Sequence, residues 1–215
     1  GADSAWTSYT VGAAHYDYDV TYRQASPYVH AEFSPVRGTR IDAGLRYDHS
    51  GYTYDSRLAE LQTGRFRVPG DTSVDFARWS PKVGITVDVT RNLNMYASFR
   101  EGFRAPAQGQ LFQQGSNLNT VGLKPVTARS AEVGVRGSLT QRISFQLALY
   151  DMRVRNDILS VLDAQGVTTT SNAGETRHRG LELGAGVALA SSLRLDAAYS
   201  SSSQRYVTWV IPVSG

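Results

Sequence analysis

The chain has 215 residues, 41% of them apolar and 19% charged, with a formal net charge of +3 and no cysteine. No apolar run approaches the roughly 20 residues a spanning helix needs, and without cysteine there is neither a disulfide framework nor a thiolate metal site. The basic residues are scattered among acids rather than clustered, which argues against nucleic acid as a partner.

In chain order, residues 1–26 read as a loop or a strand end, with Tyr16, Tyr18 and Tyr22 alternating with Asp17, Asp19 and Thr21. Over 27–34, Val29, Ala31 and Phe33 oppose Tyr28, His30 and Glu32, and Ser34-Pro35-Val36-Arg37-Gly38 forms a tight turn. Over 39–55, Ile41, Ala43, Leu45 and Tyr47 share one face, and Arg40, Asp42, Arg46 and Asp48 share the other. Successive side chains of a strand point to opposite faces, so this segment has one oily and one charged side. A long polar connection follows over 56–75. Strand 76–89 places Trp79, Val83, Ile85 and Val87 opposite Lys82, Thr86 and Asp88, and a short turn leads to 93–104, where Leu93, Met95, Ala97, Phe99 and Phe103 oppose Arg100 and Arg104. A second long connection, about 105–127, carries Leu111 and Phe112. Strand 128–139 sets Val133 and Val135 against Glu132 and Arg136. In 143–161 the apolar phase changes: Phe145, Leu147 and Leu149 give way on the same parity to Asp151, Arg153, Arg155 and Asp157, which predicts a bulge near Leu149–Tyr150. Strands 174–190 and 193–209 close the series, with Glu182, Arg194 and Asp196 on the polar face.

These are about eight strands joined by connectors that alternate between short turns and longer loops. An outer-membrane barrel has this signature: short periplasmic turns, long extracellular loops, lipid on one face and a wet lumen on the other. The negative mean hydropathy does not oppose it, because only half of each strand faces lipid. The predicted fold is therefore all-β, an antiparallel transmembrane β-barrel meander. A small passive pore or adhesion-type barrel is an alternative within that class, and a soluble β-sandwich is a second one outside it.

Three segments carry a more specific likeness. Tyr96-Ala97-Ser98-Phe99-Arg100-Glu101-Gly102-Phe103-Arg104-Ala105-Pro106 resembles the Y-x-S-x-x-x-G-F-R-A-P stretch of TonB-dependent outer-membrane receptors. Leu123-Lys124-Pro125, with Glu132-Val133-Gly134 downstream, resembles their L-K-P element and its E-x-G, and Asn172-Ala173-Gly174 with Gly180-Leu181-Glu182 resembles their N-A-G and G-x-E. The resemblance implies a siderophore-receptor-like barrel of about 22 strands, of which this chain would supply about eight over 27–209. Residues 1–26 would be an extracellular loop or strand end, and 210–215 a truncated loop. The family's N-terminal plug domain, its TonB-contact segment and the last strands have no counterpart in the sequence, nor has a signal peptide, so the chain reads as a barrel fragment. Implied partners are a ferric siderophore or similar scarce nutrient, outer-membrane lipid, the plug, and the TonB complex that energises import. The implied location is the bacterial outer membrane.

No catalytic arrangement stands out. His15, His30, His49 and His178 are far apart and lack metal spacing, no G-x-S-x-G is present, and neither an enzyme nor a cofactor is expected. The charged faces nominate a lumen wall of Arg40, Asp42, Arg46, Arg100, Arg104, Glu132, Arg136 and Glu182, where each charge needs water or a partner. Trp79 and Phe103 are the candidate membrane-interface aromatics. Loops on a rigid scaffold commonly carry function, and the resemblance adds aromatic and cationic groups for iron chelates. The ligand-binding candidates are accordingly Tyr52, Tyr54, Arg65, Arg67, Gln108, Gln110 and Phe112.

Overall fold

The computed structural model describes residue 14 and residues 17–61, 68–112, 119–162, 168–172 and 174–209. The alternating segments form strands β1 (Tyr18–Ala25), β2 (Tyr28–Phe33), β3 (Thr39–Ser56), β4 (Thr72–Thr90), β5 (Leu93–Arg104), β6 (Val126–Thr140) and β7 (Ile143–Arg155). A short hairpin, β8 (Ile158–Leu162) and β9 (Thr168–Asn172), precedes β10 (Gly174–Ala190) and β11 (Leu193–Trp209). One antiparallel sheet runs β1-β3-β4-β5-β6-β7-β10-β11, with β2 also on β3. β1 pairs with residues 49–56 of β3 and β2 with residues 41–46, so the two make one edge interrupted at Ser26-Pro27. Proline has no N–H to give to a ladder, but the Pro27 carbonyl still accepts the Tyr47 N–H at 3.0 Å. The meander thus has eight long tracts, as the alternation predicts. The sheet is open among the described residues, with β1/β2 and β11 at its two edges. Residues 18–25, read as a loop or strand end, are a full strand.

The turns at one end repeat a device. The hydroxyls of Thr90 and Thr140 accept the N–H groups of Asn92 and Arg142, each at 3.2 Å, and the register slips by one residue beside both turns. The same slip recurs before the turn at 191–192. Each slip leaves one residue without a partner and tightens the local twist, so a two-residue connection suffices. The three longer connections, 57–71, 105–125 and 156–173, all lie at the opposite end.

Register keeps the two faces consistent across the wall. Ile41 lies opposite Ile85, Ile85 opposite Ala97, Ala97 opposite Val133, Val133 opposite Leu149 and Leu149 opposite Leu181. The odd-numbered face is therefore the apolar one. Val83 (47% exposed), Val133 (53%) and Leu149 (50%) remain uncovered on it, since no second layer packs there among the described residues. This distinguishes the sheet from a sandwich, whose apolar faces bury each other. On β10 the apolar stretch from Leu181 to Leu189 is nine residues long, which matches the roughly 9–11 a tilted strand needs to cross hydrocarbon.

The predicted bulge near Leu149–Tyr150 is absent. β7 pairs without a slip from Ser144 to Arg155 on β6 and from Ile143 to Arg155 on β10. Asp151, Arg153 and Arg155 thus stay on the outward face. The apolar phase ends there without a change of face, the pattern expected where a barrel strand leaves hydrocarbon for the headgroup zone. β4 and β5 separate beyond the Lys82–Arg100 pair, and Pro81, which has no N–H to donate, stands at the point of separation.

Candidate functional site

The even-numbered, inner face carries the charged wall. Arg40, Asp42, Arg46, Arg100, Arg104, Glu132, Arg136 and Glu182 all lie on it. Several are paired: Arg46 to the buried Asp48 at 2.8 Å, Arg100 to Glu132 at 3.4 Å, Arg40 to Glu32 at 3.8 Å. The Arg136 guanidinium sits 5.7 Å from the centre of the Tyr96 ring. That ring lies over Gly134 on the next strand, and Tyr150 lies over Gly180 in the same way; a Cβ on either glycine would come within 2.5 Å of the tyrosine ring. The glycines of the E-x-G and G-x-E elements therefore make room for inner-face tyrosines rather than for turns.

At the long-loop end, this face is covered. Residues 105–112 and 119–125 of connection 105–125 turn inward through a single helical turn, α1 (Gln108–Leu111), and a 3₁₀ turn over Asn119–Gly122. Ala107 starts α1: its carbonyl accepts the N–H groups of Gln110 and Leu111 at 2.8 and 3.0 Å, and its own N–H donates to the Gln110 side chain at 3.0 Å. The buried Thr120 hydroxyl donates to the Leu111 carbonyl at 2.7 Å and ties the two turns together. Leu111 and Phe112, only 0% and 3% exposed, are thereby pressed against the wall, where they meet Tyr54, Phe76, Leu123, Val126 and Ile158. Phe112 stacks on Tyr54 at 4.9 Å and meets Tyr52 edge-on at 6.2 Å, and Tyr18 of β1 lies 5.0 Å from Tyr54. Burial of this aromatic group is what holds the connection inside the wall.

A polar clamp closes the other side. The Asn172 side chain donates to the carbonyls of Lys124 (2.9 Å) and Asn156 (2.8 Å) and accepts the Lys124 N–H at 2.8 Å. The asparagine of N-A-G thus grips the backbone of L-K-P from 48 residues away. The three sequence elements meet at one place: Phe103 and Ala105 of the first pack against the apolar cluster, and Leu123 of the second is part of it. We expect Asn172→Ala to lose about 2 kcal/mol, three hydrogen bonds discounted for partial exposure. Protease sensitivity of segment 105–125 checks this; unchanged cleavage would remove the clamp from the account.

Of the ligand-binding candidates, the fold brings Tyr52, Tyr54 and Phe112 together, and buries Tyr54 and Phe112 fully. Gln108 is exposed on α1, while the Gln110 side chain is turned back onto Ala107. Arg65 and Arg67 lie outside the described residues. Trp79 is 57% exposed on the outward face, its ring 4.8 Å from that of Tyr47, at the long-loop end of the apolar stretch of β4. Phe103 packs against the buried cluster. The sequence pattern assigns no site role to Phe76, Leu123 or Asn172, although Leu123 and Asn172 lie in the L-K-P and N-A-G elements.

A wall with an uncovered apolar band outside, paired charges inside and a loop folded over its inner face is part of an outer-membrane barrel. Residues 2–211 match the family model described as "TonB dependent receptor-like, beta-barrel", and the chain belongs to that family. It is a protein of the bacterial outer membrane. A hemin receptor of Yersinia pestis is 25% identical over 152 residues, 61% of this chain and 20% of the receptor. Among solved structures, the copper transporter OprC superposes with a TM-score of 0.73 at 18% identity, over 88% of this chain and 30% of its own. The ferric-catecholate import receptor Fiu of E. coli K12 gives 0.68 at 20% identity, over 89% and 29%. These identities show a shared fold. The chain spans only a fifth to a third of the length of these relatives.

Proposed function

We propose that this chain is part of the barrel of an active importer that takes up a scarce nutrient, a ferric siderophore or related metal chelate. Energy would come from a TonB complex through a plug domain. The observation that carries the reading is the loop bearing α1, folded onto the inner face at the extracellular end. An open pore would keep that path clear, whereas a gated receptor occludes it and presents groups to a ligand from above. Tyr52, Gln108 and Arg104 are the groups we assign to ligand contact, since Tyr54 and Phe112 are consumed in holding the loop. The names of the relatives, receptors or transporters for hemin, copper and a ferric catecholate, support metal chelates as cargo.

The test is uptake of labelled ferric siderophore by iron-starved cells expressing the intact receptor. Tyr52→Ala combined with Gln108→Ala should raise the half-saturating concentration about tenfold, or about 1.4 kcal/mol of lost binding. A protonophore should abolish accumulation. Uptake that persists after the membrane is de-energised would make the barrel a passive pore and overturn the reading.

A further inference from the structure

The outward face above the apolar band holds a feature that import does not use. Arg129 on β6 lies directly opposite Arg153 on β7, Arg153 opposite Arg177 on β10, and Arg177 opposite Arg205 on β11. Four arginines on four adjacent strands thus form one row, spaced by about 4.8 Å per strand. Arg155 and Arg179 flank it on the same face. Like charges directly opposite in a sheet are destabilising, so the row needs compensation. Three carboxylates supply part of it: Glu101 to Arg129 at 2.8 Å, Asp151 to Arg177 and Arg179 at 2.5 and 2.8 Å, Glu175 to Arg155 at 3.0 Å. That leaves six guanidinium groups against three carboxylates on this part of the wall. Arg153, exposed in the middle of the row, has no ion-pair partner among the described residues, and Arg205 continues the row onto β11, the last strand of the described sheet.

The position of the row identifies what compensates it. On β6, β7 and β10 it begins where the apolar residues stop: Ala131 and Val133 adjoin Arg129, Leu149 precedes Asp151 and Arg153, and Leu181 adjoins Arg179, while on β11 Ser201 and Ser203 separate Tyr199 from Arg205. From Leu149 to Arg153 the strand runs about 13 Å, about 10 Å of it along the membrane normal at a tilt of about 40°, which carries the guanidinium from acyl chains toward the headgroup layer. The long connections lie at this end, so the layer is that of the outer leaflet. Just below the row the wall has a hollow of about 630 Å³, lined on the outward face by Val133, Leu149, Leu181, Asp151, Arg179 and Ser203. Its floor is apolar and its rim is charged. A guanidinium fork matches phosphate oxygens two at a time, which an ammonium cannot do.

We propose that Arg153, Arg205 and their neighbours in this row bind the phosphate groups of an anionic outer-leaflet lipid, whose chains rest against the hollow beneath. The row is a lipid-binding site on the outside of the barrel, separate from the path of the imported nutrient.

The intact receptor is reconstituted in nanodiscs of equal parts phosphatidylglycerol and phosphatidylcholine, and the lipids retained after detergent extraction are counted by native mass spectrometry. We expect phosphatidylglycerol to be enriched, and R153Q/R205Q to lower that enrichment about tenfold without changing nutrient uptake. R153K/R205K, which keeps the charge and loses the fork, should fall between. Equal retention of the two lipids by the wild type, or undiminished enrichment in R153Q/R205Q, overturns the proposal. Loss of enrichment in about 10 mM inorganic phosphate, a concentration at which two-point binding of a lipid should outcompete the free anion, also overturns it by assigning the row to the free anion. Should R153Q/R205Q fail to fold, the wild-type enrichment must fall as salt is raised from about 0.05 to 0.5 M; insensitivity to salt overturns the proposal equally.

Discussion

Replacing Phe112 with alanine is expected to release connection 105–125 from the inner face while the wall itself survives. Phe112 is 3% exposed, stacked on Tyr54 and edge-on to Tyr52, and removing its ring leaves a cavity at the centre of the buried cluster. Such truncations cost about 3–5 kcal/mol. That is more than the one turn of α1 and the Thr120 hydrogen bond can compensate. The β-ladders are untouched, since Phe112 belongs to no strand. Amide exchange over residues 107–112 and 119–125 should therefore accelerate by at least about a hundredfold. The strands should keep their protection, and the barrel should still migrate as a heat-modifiable band. Unchanged exchange in this connection would mean that the aromatic stack does not hold it. Under the proposed import function, Phe112 supports the loop rather than facing outward, and its loss should appear as leakage as well as weaker ligand binding.

A methyl group at residue 174 should do comparable damage by a different route. Gly174 has a φ of +132°, a region that L side chains rarely adopt, and a Cβ there would approach the Thr208 carbonyl oxygen to 2.1 Å. The obstacle is backbone on the neighbouring strand, so no rotamer change relieves it. Gly174 lies opposite Trp209 beside the register slip between Glu175 and Thr176, where the Thr208 hydroxyl accepts the Glu175 N–H at 3.1 Å. Gly174→Ala should cost about 3 kcal/mol or more, with strain and overpacking adding. It should also loosen the pairing of β10 with the end of β11. A urea midpoint within error of the wild type, measured by refolding into vesicles, would show that β11 shifts to accommodate the methyl group at little cost.

Much of the wall was legible from residues alone. Ile41, Ala43 and Leu45 against Arg40, Asp42 and Arg46 form a period-2 pattern that needs no partner strand to be read. Eight repetitions joined by short and longer connectors predict the meander. The same logic misled at Asp151. A charge on the parity of Leu147 and Leu149 implies a flipped strand only if the whole strand sits in one environment. Here the strand crosses from hydrocarbon into the headgroup zone, so the pattern changes while the register does not. Phe103 has the parity of Phe99, but it stands past the last paired residues of β4 and β5, where the sheet has parted and the ring packs against the cluster.

The candidate site was legible only in part. Tyr52, Tyr54 and Phe112 read in the sequence as loop-borne or loop-adjacent aromatics, and the fold brings them into contact, but as a buried stack more than an open surface. The sequence by itself determined the two faces, the number of long strands and the three family elements, because each is written in neighbouring residues. The tertiary structure decided which distant residues meet. Tyr54, Phe76, Phe112, Leu123 and Ile158 converge, Asn172 clamps Lys124, and four arginines fall into line across β6, β7, β10 and β11. Those relations depend on register, and register is set by turn length, the slips beside each turn and the fit of a folded connection against the wall. Each of these couples residues tens of positions apart, and local alternation carries no record of them.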